Sequence, residues 1–138
     1  MNWNTIGLCI DFGLVVLIWM VQLIVYPSFS FYSKHNLKEW HLIYTKNISL
    51  IVIPLMLFQL GLTINDCIGH FSFYNGCITI LILSIWIITF LKFVPLHTKI
   101  DVEEASSNHL KTLKELIQYN WLRTILWSLI FILNVYFF

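Results

Sequence analysis

Two histidines, His41 and His97, are the residues of this sequence best suited to chemistry, because each stands beside a long apolar stretch. Imidazole exchanges protons near neutral pH, and it also ligates metal ions and haem iron. The pair therefore predicts either proton transfer or ligation of a haem or a metal ion. No short-spaced pair such as H-x-x-x-H is present, so a metal site would need ligands from distant segments. An alternative role for each histidine is that of an amphipathic anchor at a membrane interface.

Asp11 and Arg123 put charge inside apolar stretches, where a charge costs about 2.5–3.5 kcal/mol on insertion scales. Asp11 is predicted to be catalytic, as a proton relay or counter-charge; the alternative is a neutral buried carboxyl bonded to Gln59 or to a backbone carbonyl. Arg123 is predicted to bind a carboxylate or phosphate of a substrate through its fork of donors. The alternative for Arg123 is an anchor at the lipid headgroups.

Further polar and aromatic residues recur at spacings of three, four and seven, which place them on single helix faces. They cluster at the same end of their stretches as His41 and His97, which predicts one pocket with aromatic walls and a few convergent polar groups. Asn120 would help Arg123 to hold a polar group of the substrate. The predicted substrate-binding residues are Gln22, Tyr26, Tyr44, Asn120, Arg123 and Trp127.

The composition indicates which elements must position these residues. Of 138 residues, 59% are hydrophobic and 11% are charged, whereas soluble domains are about 25% charged. So small a soluble domain could not bury this much apolar surface. These proportions exclude a disordered chain, a nucleic-acid-binding domain and a secreted disulfide scaffold, and they predict an integral membrane protein.

Four apolar stretches are long enough to cross a hydrocarbon core of about 30 Å, and in lipid such stretches must be helices. We therefore predict one all-α domain over residues 1–138, a polytopic four-helix transmembrane bundle. Pro27 and Pro95 are expected to end the first and third spans, and Pro54 to kink the second. Asn75-Gly76 is expected to form the turn before the third span. The predicted spans are residues 6–26, 38–64, 77–94 and 116–138.

The basic residues predict an orientation, because all of them fall on one side of the predicted spans. Lysine and arginine accumulate in cytoplasmic loops, so loops 28–37 and 96–115 are predicted to be cytoplasmic and both termini outside (N-out, C-out) in the cell inner membrane. The lipid bilayer is then the expected partner, with no nucleic acid. The eight basic residues are Lys34, Lys38, Lys46, Lys92, Lys99, Lys111, Lys114 and Arg123.

Several motifs together resemble an uncharacterised family of small bacterial four-helix membrane proteins. The resemblance spans nearly the whole chain and implies the four-helix architecture. This sequence has Val25 where many members carry histidine, and Gln59 where many carry glutamate. The motifs are Tyr26-Pro27-Ser28-Phe29, Trp40-His41, Val94-Pro95-Leu96-His97 and Asn120-Trp121-Leu122-Arg123-Thr124-Ile125-Leu126-Trp127.

Two better-known groups are more distantly similar. The end of the first span, at Tyr26-Pro27, and the proline-bearing second span resemble those of small membrane protoporphyrinogen oxidases. The end of the third span, at Val94–His97, and the start of the fourth, at Asn120–Arg123, resemble those of anthrone-oxygenase-like membrane proteins. Both resemblances imply a redox or oxygenase pocket, but likeness of fold does not carry function.

Two functions from different classes follow. The first is a small membrane oxidoreductase or oxygenase acting on a lipophilic substrate in a cytoplasm-facing pocket. The alternative is a non-catalytic membrane protein: a lipid or pigment binder, a carrier, or a subunit of a larger complex, with a homo-oligomer required for any pore.

Cys67 and Cys77 lie on the predicted outer side and are either a disulfide or two packing cysteines.

Overall fold

The structure, a computed structural model, describes residues 3–69, 71–102 and 109–137. Every element in these residues is helical, and four helical stretches are long and apolar enough to cross a membrane. The predicted all-α class and number of membrane-length helices are confirmed. The candidate spans are span 1 (Trp3–Phe31), span 2 (His35–Gly69), span 3 (Phe73–Asp101) and span 4 (Leu110–Phe137).

Each span is built from one or more helical elements. Spans 2 and 4 are single α-helices, whereas spans 1 and 3 each change helix type partway along. In chain order the elements are α1 (Trp3–Met20), a π-helical segment (Val21–Val25), α2 (Tyr26–Ser28), a 3₁₀ turn (Phe29–Phe31), α3 (Lys34–Gly69), α4 (Phe73–Ile88), a second π-helical segment (Thr89–Phe93), α5 (Val94–Val102) and α6 (His109–Phe137).

The two π-helical segments explain why the prediction that Pro27 and Pro95 end their helices is wrong. A proline ring clashes with the carbonyl four residues earlier and lacks an N–H. Those carbonyls belong to Leu23 and Leu91, and each lies inside a π-helical segment, whose wider turn accommodates the ring. The chain therefore stays helical past each proline, to Phe31 in span 1 and through α5 in span 3.

The structure also differs from the sequence prediction in both polar loops and at the Asn75-Gly76 turn. The predicted loop 28–37 is mostly helical, since α3 already begins at Lys34. The predicted loop 96–115 is helical at both ends, and its residues 103–108 lie outside the described residues. The Asn75-Gly76 pair lies in the first turn of α4, because the Ser72 side chain accepts a hydrogen bond from the Asn75 N–H and caps that helix. Pro54 lies inside the continuous helix α3.

The four spans pack in a closed ring, with α1 between α3 and α6 and α4 between the same two helices. Large apolar side chains such as Ile24, Leu50, Ile80 and Ile125 point outward and are exposed. An apolar outer surface of this extent suits a bundle surrounded by lipid. Cys67 and Cys77 are free thiols, as is Cys9, so the disulfide alternative does not hold in this structure.

The described residues form two apolar clusters in the interior, one at each end of the bundle. The cluster at the His41 end includes Phe29, Leu37, Phe93, Ile100 and Leu116. The cluster at the opposite end, which we call the Asp11 end, includes Leu14, Ile18, Ile82, Trp127 and Ile130. Buried polar side chains lie beside both clusters, and they form two separate networks.

Candidate functional site

His41 is at the centre of the first network. It is fully buried, and both of its ring nitrogens are hydrogen-bonded. Its Nδ1 lies 2.6 Å from Asp101 Oδ1, and its Nε2 lies 2.7 Å from His97 Nδ1. The other nitrogen of His97, Nε2, lies 3.3 Å from the Tyr26 hydroxyl. These four residues, Asp101, His41, His97 and Tyr26, form a continuous chain that we call the relay.

The hydrogen bonds of the relay all point the same way. A carboxylate only accepts hydrogen bonds, so His41 Nδ1–H donates to Asp101 and the other nitrogen of His41 must accept. That acceptor receives the His97 Nδ1–H, which leaves His97 Nε2 to accept from the Tyr26 O–H. Tyr44 also forms a side-chain hydrogen bond with Tyr26. One set of tautomers therefore satisfies every group of the relay.

The relay connects the surface with a cavity of about 260 Å³ that we call the histidine cavity. At one end the Asp101 side chain is 25% exposed. At the other end Tyr26, Tyr44, His97 and Arg123 supply the polar part of a lining that is otherwise largely apolar. This combination of apolar walls and a few convergent polar groups is typical of small-molecule sites. Of the predicted substrate-binding residues, Tyr26, Tyr44 and Arg123 line the cavity, and Gln22, Asn120 and Trp127 do not.

Arg123 brings a buried cation into this cavity. It is only 7% exposed, and its guanidinium lies 4.2 Å from the ring centroid of Phe93 and 5.0 Å from that of Trp127. Its Nε has no hydrogen-bond partner, and no carboxylate of the described residues forms an ion pair with it. The aromatic faces stabilise the cation, but they leave its in-plane donors available to an anionic ligand.

Gln22 and Asn120, predicted to bind substrate, are instead bonded to each other. The Asn120 amide donates to Gln22 Oε1 at 2.8 Å, and the Gln22 amide donates to the Ile117 carbonyl at 3.4 Å. Neither residue lines the histidine cavity. The bond between the two amides joins span 1 to span 4 and leaves the buried Asn120 Oδ1 without a hydrogen-bond partner among the described residues.

Asp11 belongs to the second network, and the structure does not bring it to the histidines. It lies about 20 Å along span 1 from Tyr26. Its Oδ1 accepts a hydrogen bond from the Gln59 amide at 2.7 Å, and its Oδ2 accepts one from the Asn134 amide at 2.6 Å. The bond to Gln59 was one of the alternatives predicted from the sequence. It borders a separate cavity of about 390 Å³ at the Asp11 end.

Both amides that face Asp11 are held in one orientation by other donors. The Trp127 indole N–H donates to Gln59 Oε1, and the Tyr74 hydroxyl donates to the Asn134 amide oxygen. Each amide must therefore present its NH₂ group to Asp11. A residue at position 11 has to accept with two oxygen atoms, which a carboxylate does and an amide cannot.

We expect Asp11→Asn to destabilise the fold by about 1–3 kcal/mol, because its NH₂ group would face a fixed amide donor and leave that donor unpaired. Asp66→Asn is the matched control, since Asp66 is exposed and borders the same cavity; there we expect a change within about 0.5 kcal/mol. Unfolding of the purified protein in mixed detergent micelles measures both. Equal stability of the two variants would contradict this account of Asp11.

His41 and His97 do not fit a haem or a metal ion as their rings stand. All four ring nitrogens are occupied by hydrogen bonds within the relay. The two rings lie end to end, 4.9 Å between centroids, and are joined directly by the contact of His41 Nε2 with His97 Nδ1, which leaves no room for an ion or a haem between them. No group of three or more His, Cys, Asp or Glu in the described part of the chain is arranged to hold a metal ion.

No known family model, curated protein or solved structure matches this chain. The resemblances carried by Tyr26-Pro27 and Val94–His97 therefore stay predictions.

Sequence reasoning missed Asp101, which it assigned to a polar loop. The available signal was spacing, because Asp101 follows His97 by four residues and therefore shares its helix face. The expected helix end at Pro95 concealed this relation. The structure places the predicted residues Tyr26, Tyr44, His97 and Arg123 together at one cavity.

Proposed function

We propose that this chain is a membrane-embedded acid–base catalyst that removes a proton from a lipophilic substrate carrying an ionisable hydroxyl group. The observation that carries the proposal is the relay, a chain of hydrogen bonds from the partly exposed Asp101 to Tyr26 in an apolar cavity. General acid–base catalysis requires a base within hydrogen-bond reach of the substrate and an outlet for the proton.

The proton moves by successive exchange along the relay. The substrate O–H bond breaks as its proton passes to the Tyr26 oxygen, and the Tyr26 proton passes to His97 Nε2. The proton on His97 Nδ1 then passes to His41 Nε2, and the proton on His41 Nδ1 passes to Asp101. The net result is an anionic substrate in the cavity and a protonated carboxyl that water can reach.

Arg123 is the residue that makes this transfer favourable. A hydroxyl that ionises in an apolar cavity leaves an anion with no water to solvate it. A fixed cation with free donors at that position stabilises the charge as it develops. Arg123 has a buried guanidinium without a carboxylate partner among the described residues, which suits this role.

Proton removal is also the step that prepares an aromatic substrate for oxidation, since an ionised phenol or enol gives up electrons more readily than its neutral form. We therefore retain a small membrane oxidoreductase or oxygenase as the finer proposal. We also propose that the His41 end faces the cytoplasm in the inner membrane, a placement that the positive-inside rule supports because the basic residues collect at that end. A non-catalytic lipid or pigment binder is the alternative.

A chromophoric probe tests the proposal without knowledge of the natural substrate. An alkyl-4-nitrophenol becomes yellow on ionisation, so its absorbance in protein-containing micelles gives the pH midpoint of the bound probe. An opposite charge nearby shifts such a midpoint by about 1–3 pH units. We therefore expect Arg123→Met to raise the midpoint of the bound probe by at least about 1 pH unit.

Lys92→Met is the matched control, because Lys92 is an exposed cation at the same end of the bundle that lies over the Tyr119 ring. The Lys92→Met protein should give the bound probe the same pH midpoint as the wild-type protein does. A probe that binds wild-type protein and Arg123→Met with the same midpoint would overturn the proposal and favour the non-catalytic binder.

A further inference from the structure

Besides Arg123, Trp86 contributes a hydrogen-bond donor without a partner to the lining of the histidine cavity. The indole Nε1–H of Trp86 is buried and has no hydrogen-bond partner in the described part of the chain. Indole can only donate, and a buried donor without an acceptor costs about 1–3 kcal/mol. Buried donors are rarely left unpaired in folded proteins, so this indole indicates that a ligand supplies the acceptor.

Arg123 is the other unpaired donor of the same cavity, with a free Nε on a side chain that is more than nine-tenths buried. Its guanidinium lies over Phe93, which follows Trp86 by seven residues on span 3. Two helical turns separate these positions by about 10 Å along the span. The ligand must therefore offer acceptors to donors at two different depths of one cavity.

Two donors at different depths of one cavity require a ligand with acceptors at two of its ends. A six-membered ring with oxygen atoms at opposite corners offers acceptors arranged in this way. Aromatic rings line the cavity beside the donors, with Trp86 stacked on Phe90 at 5.6 Å between centroids.

The cavity also opens sideways between spans 2 and 3. Three of its lining residues, Ile53, Phe90 and Val94, are about half exposed on the apolar outer surface of the bundle. A ligand ring inside the cavity can therefore carry an apolar tail that leaves between the two spans. The volume of about 260 Å³ is near the lower end for small-molecule sites and suits a single substituted ring.

We infer that the histidine cavity binds the ring of a lipid-tailed quinone or hydroquinone, an inference that rests on the proposed function and names its substrate class. Arg123 donates to one ring oxygen and Trp86 to the opposite one. The hydroquinone hydroxyl near Arg123 is the group whose proton enters the relay at Tyr26. The tail passes between Ile53 and Phe90.

Titration with a short-tailed benzoquinone tests the inference. Binding to the purified protein in detergent micelles is measured by calorimetry, and indole ¹⁵N–¹H spectra report on the tryptophans. We expect the Trp86 cross-peak, assigned by its loss in Trp86→Phe, to move on binding. Loss of one hydrogen bond should weaken binding by about tenfold in Trp86→Phe and by at least as much in Arg123→Met.

Trp121→Phe is the matched control, because Trp121 is exposed and does not line the cavity. The same ring without its oxygens, an alkyl benzene, should bind at least tenfold more weakly than the quinone. Equal affinity of Trp86→Phe and Trp121→Phe for the quinone, or equal affinity of wild-type protein for the two rings, would overturn the inference.

The two proposals fail separately. If the quinone binds as expected while Arg123→Met leaves the nitrophenol midpoint unchanged, the cavity is a quinone site without acid–base function. If the midpoint shifts while the quinone does not bind, the acid–base proposal stands and the substrate class is wrong.

Discussion

Replacement of His41 by asparagine is expected to slow proton transfer from a bound nitrophenol by about 100-fold or more. Asparagine can still bond to Asp101 or His97, but it cannot accept a proton on one side and release one on the other. His41 is the only link between His97 and Asp101 in the relay. The relaxation of nitrophenolate absorbance after a rapid pH jump measures the rate.

His35→Asn is the control for this prediction. His35 lies on the same helix, its side chain is 82% exposed, and it pairs only loosely with Glu39 at 3.8 Å. It should leave the relaxation unchanged, and added imidazole should partly restore the rate in His41→Asn. An unchanged rate in His41→Asn, with the probe bound as in wild-type protein, would show that protons reach the cavity by another route.

Phe29→Ala is expected to destabilise the fold by about 3–5 kcal/mol, because it removes a fully buried ring from the apolar cluster at the His41 end. The Phe29 ring lies 5.6–5.7 Å, between centroids, from the rings of Tyr26, His41 and Tyr44. It therefore also holds these rings in the positions that the relay requires. Unfolding in mixed detergent micelles measures the loss.

Phe31→Ala provides the control within the same 3₁₀ turn. Phe31 is 89% exposed, so the substitution removes the same ring without opening a cavity, and the stability should change by less than about 0.5 kcal/mol. A Phe29→Ala protein as stable as Phe31→Ala would mean that the cluster repacks around the missing ring.

The helix faces could be predicted from the sequence because periodicity alone determines them. Tyr26, His97 and Arg123 each stand at a helical spacing from other polar residues on their span, and polar groups in an apolar bundle turn toward one another. That reasoning correctly predicted that His41 and His97 approach each other, which their 2.7 Å contact confirms. Periodicity indicated the faces, and the position of these residues at the same end of their stretches indicated the depth.

Apart from the contact of Asp11 with Gln59, which was one alternative, the pairing of individual groups could not be predicted, because it depends on rotations that periodicity does not encode. One π-helical segment shifts the phase of the helix just before Tyr26, and a second does so before His97. The proline after each segment is easy to see in the sequence, but the segment itself is not. Because the chain stays helical past Pro95 through α5, Asp101 reaches His41. Gln22 and Asn120 were predicted to bind substrate, because the sequence does not show that their side chains face each other.

The common direction of the hydrogen bonds in the relay has a consequence for repeated turnover. Once a proton has passed along the relay, every donor has become an acceptor, so a second proton cannot follow until both imidazoles exchange tautomers. Asp101 can lose its proton to water, but His97 lies among the rings of Tyr26, His41 and Phe93, where a ring flip needs the neighbours to move. In the proposed mechanism, each turnover therefore requires the starting tautomers to be restored against the packing around His97.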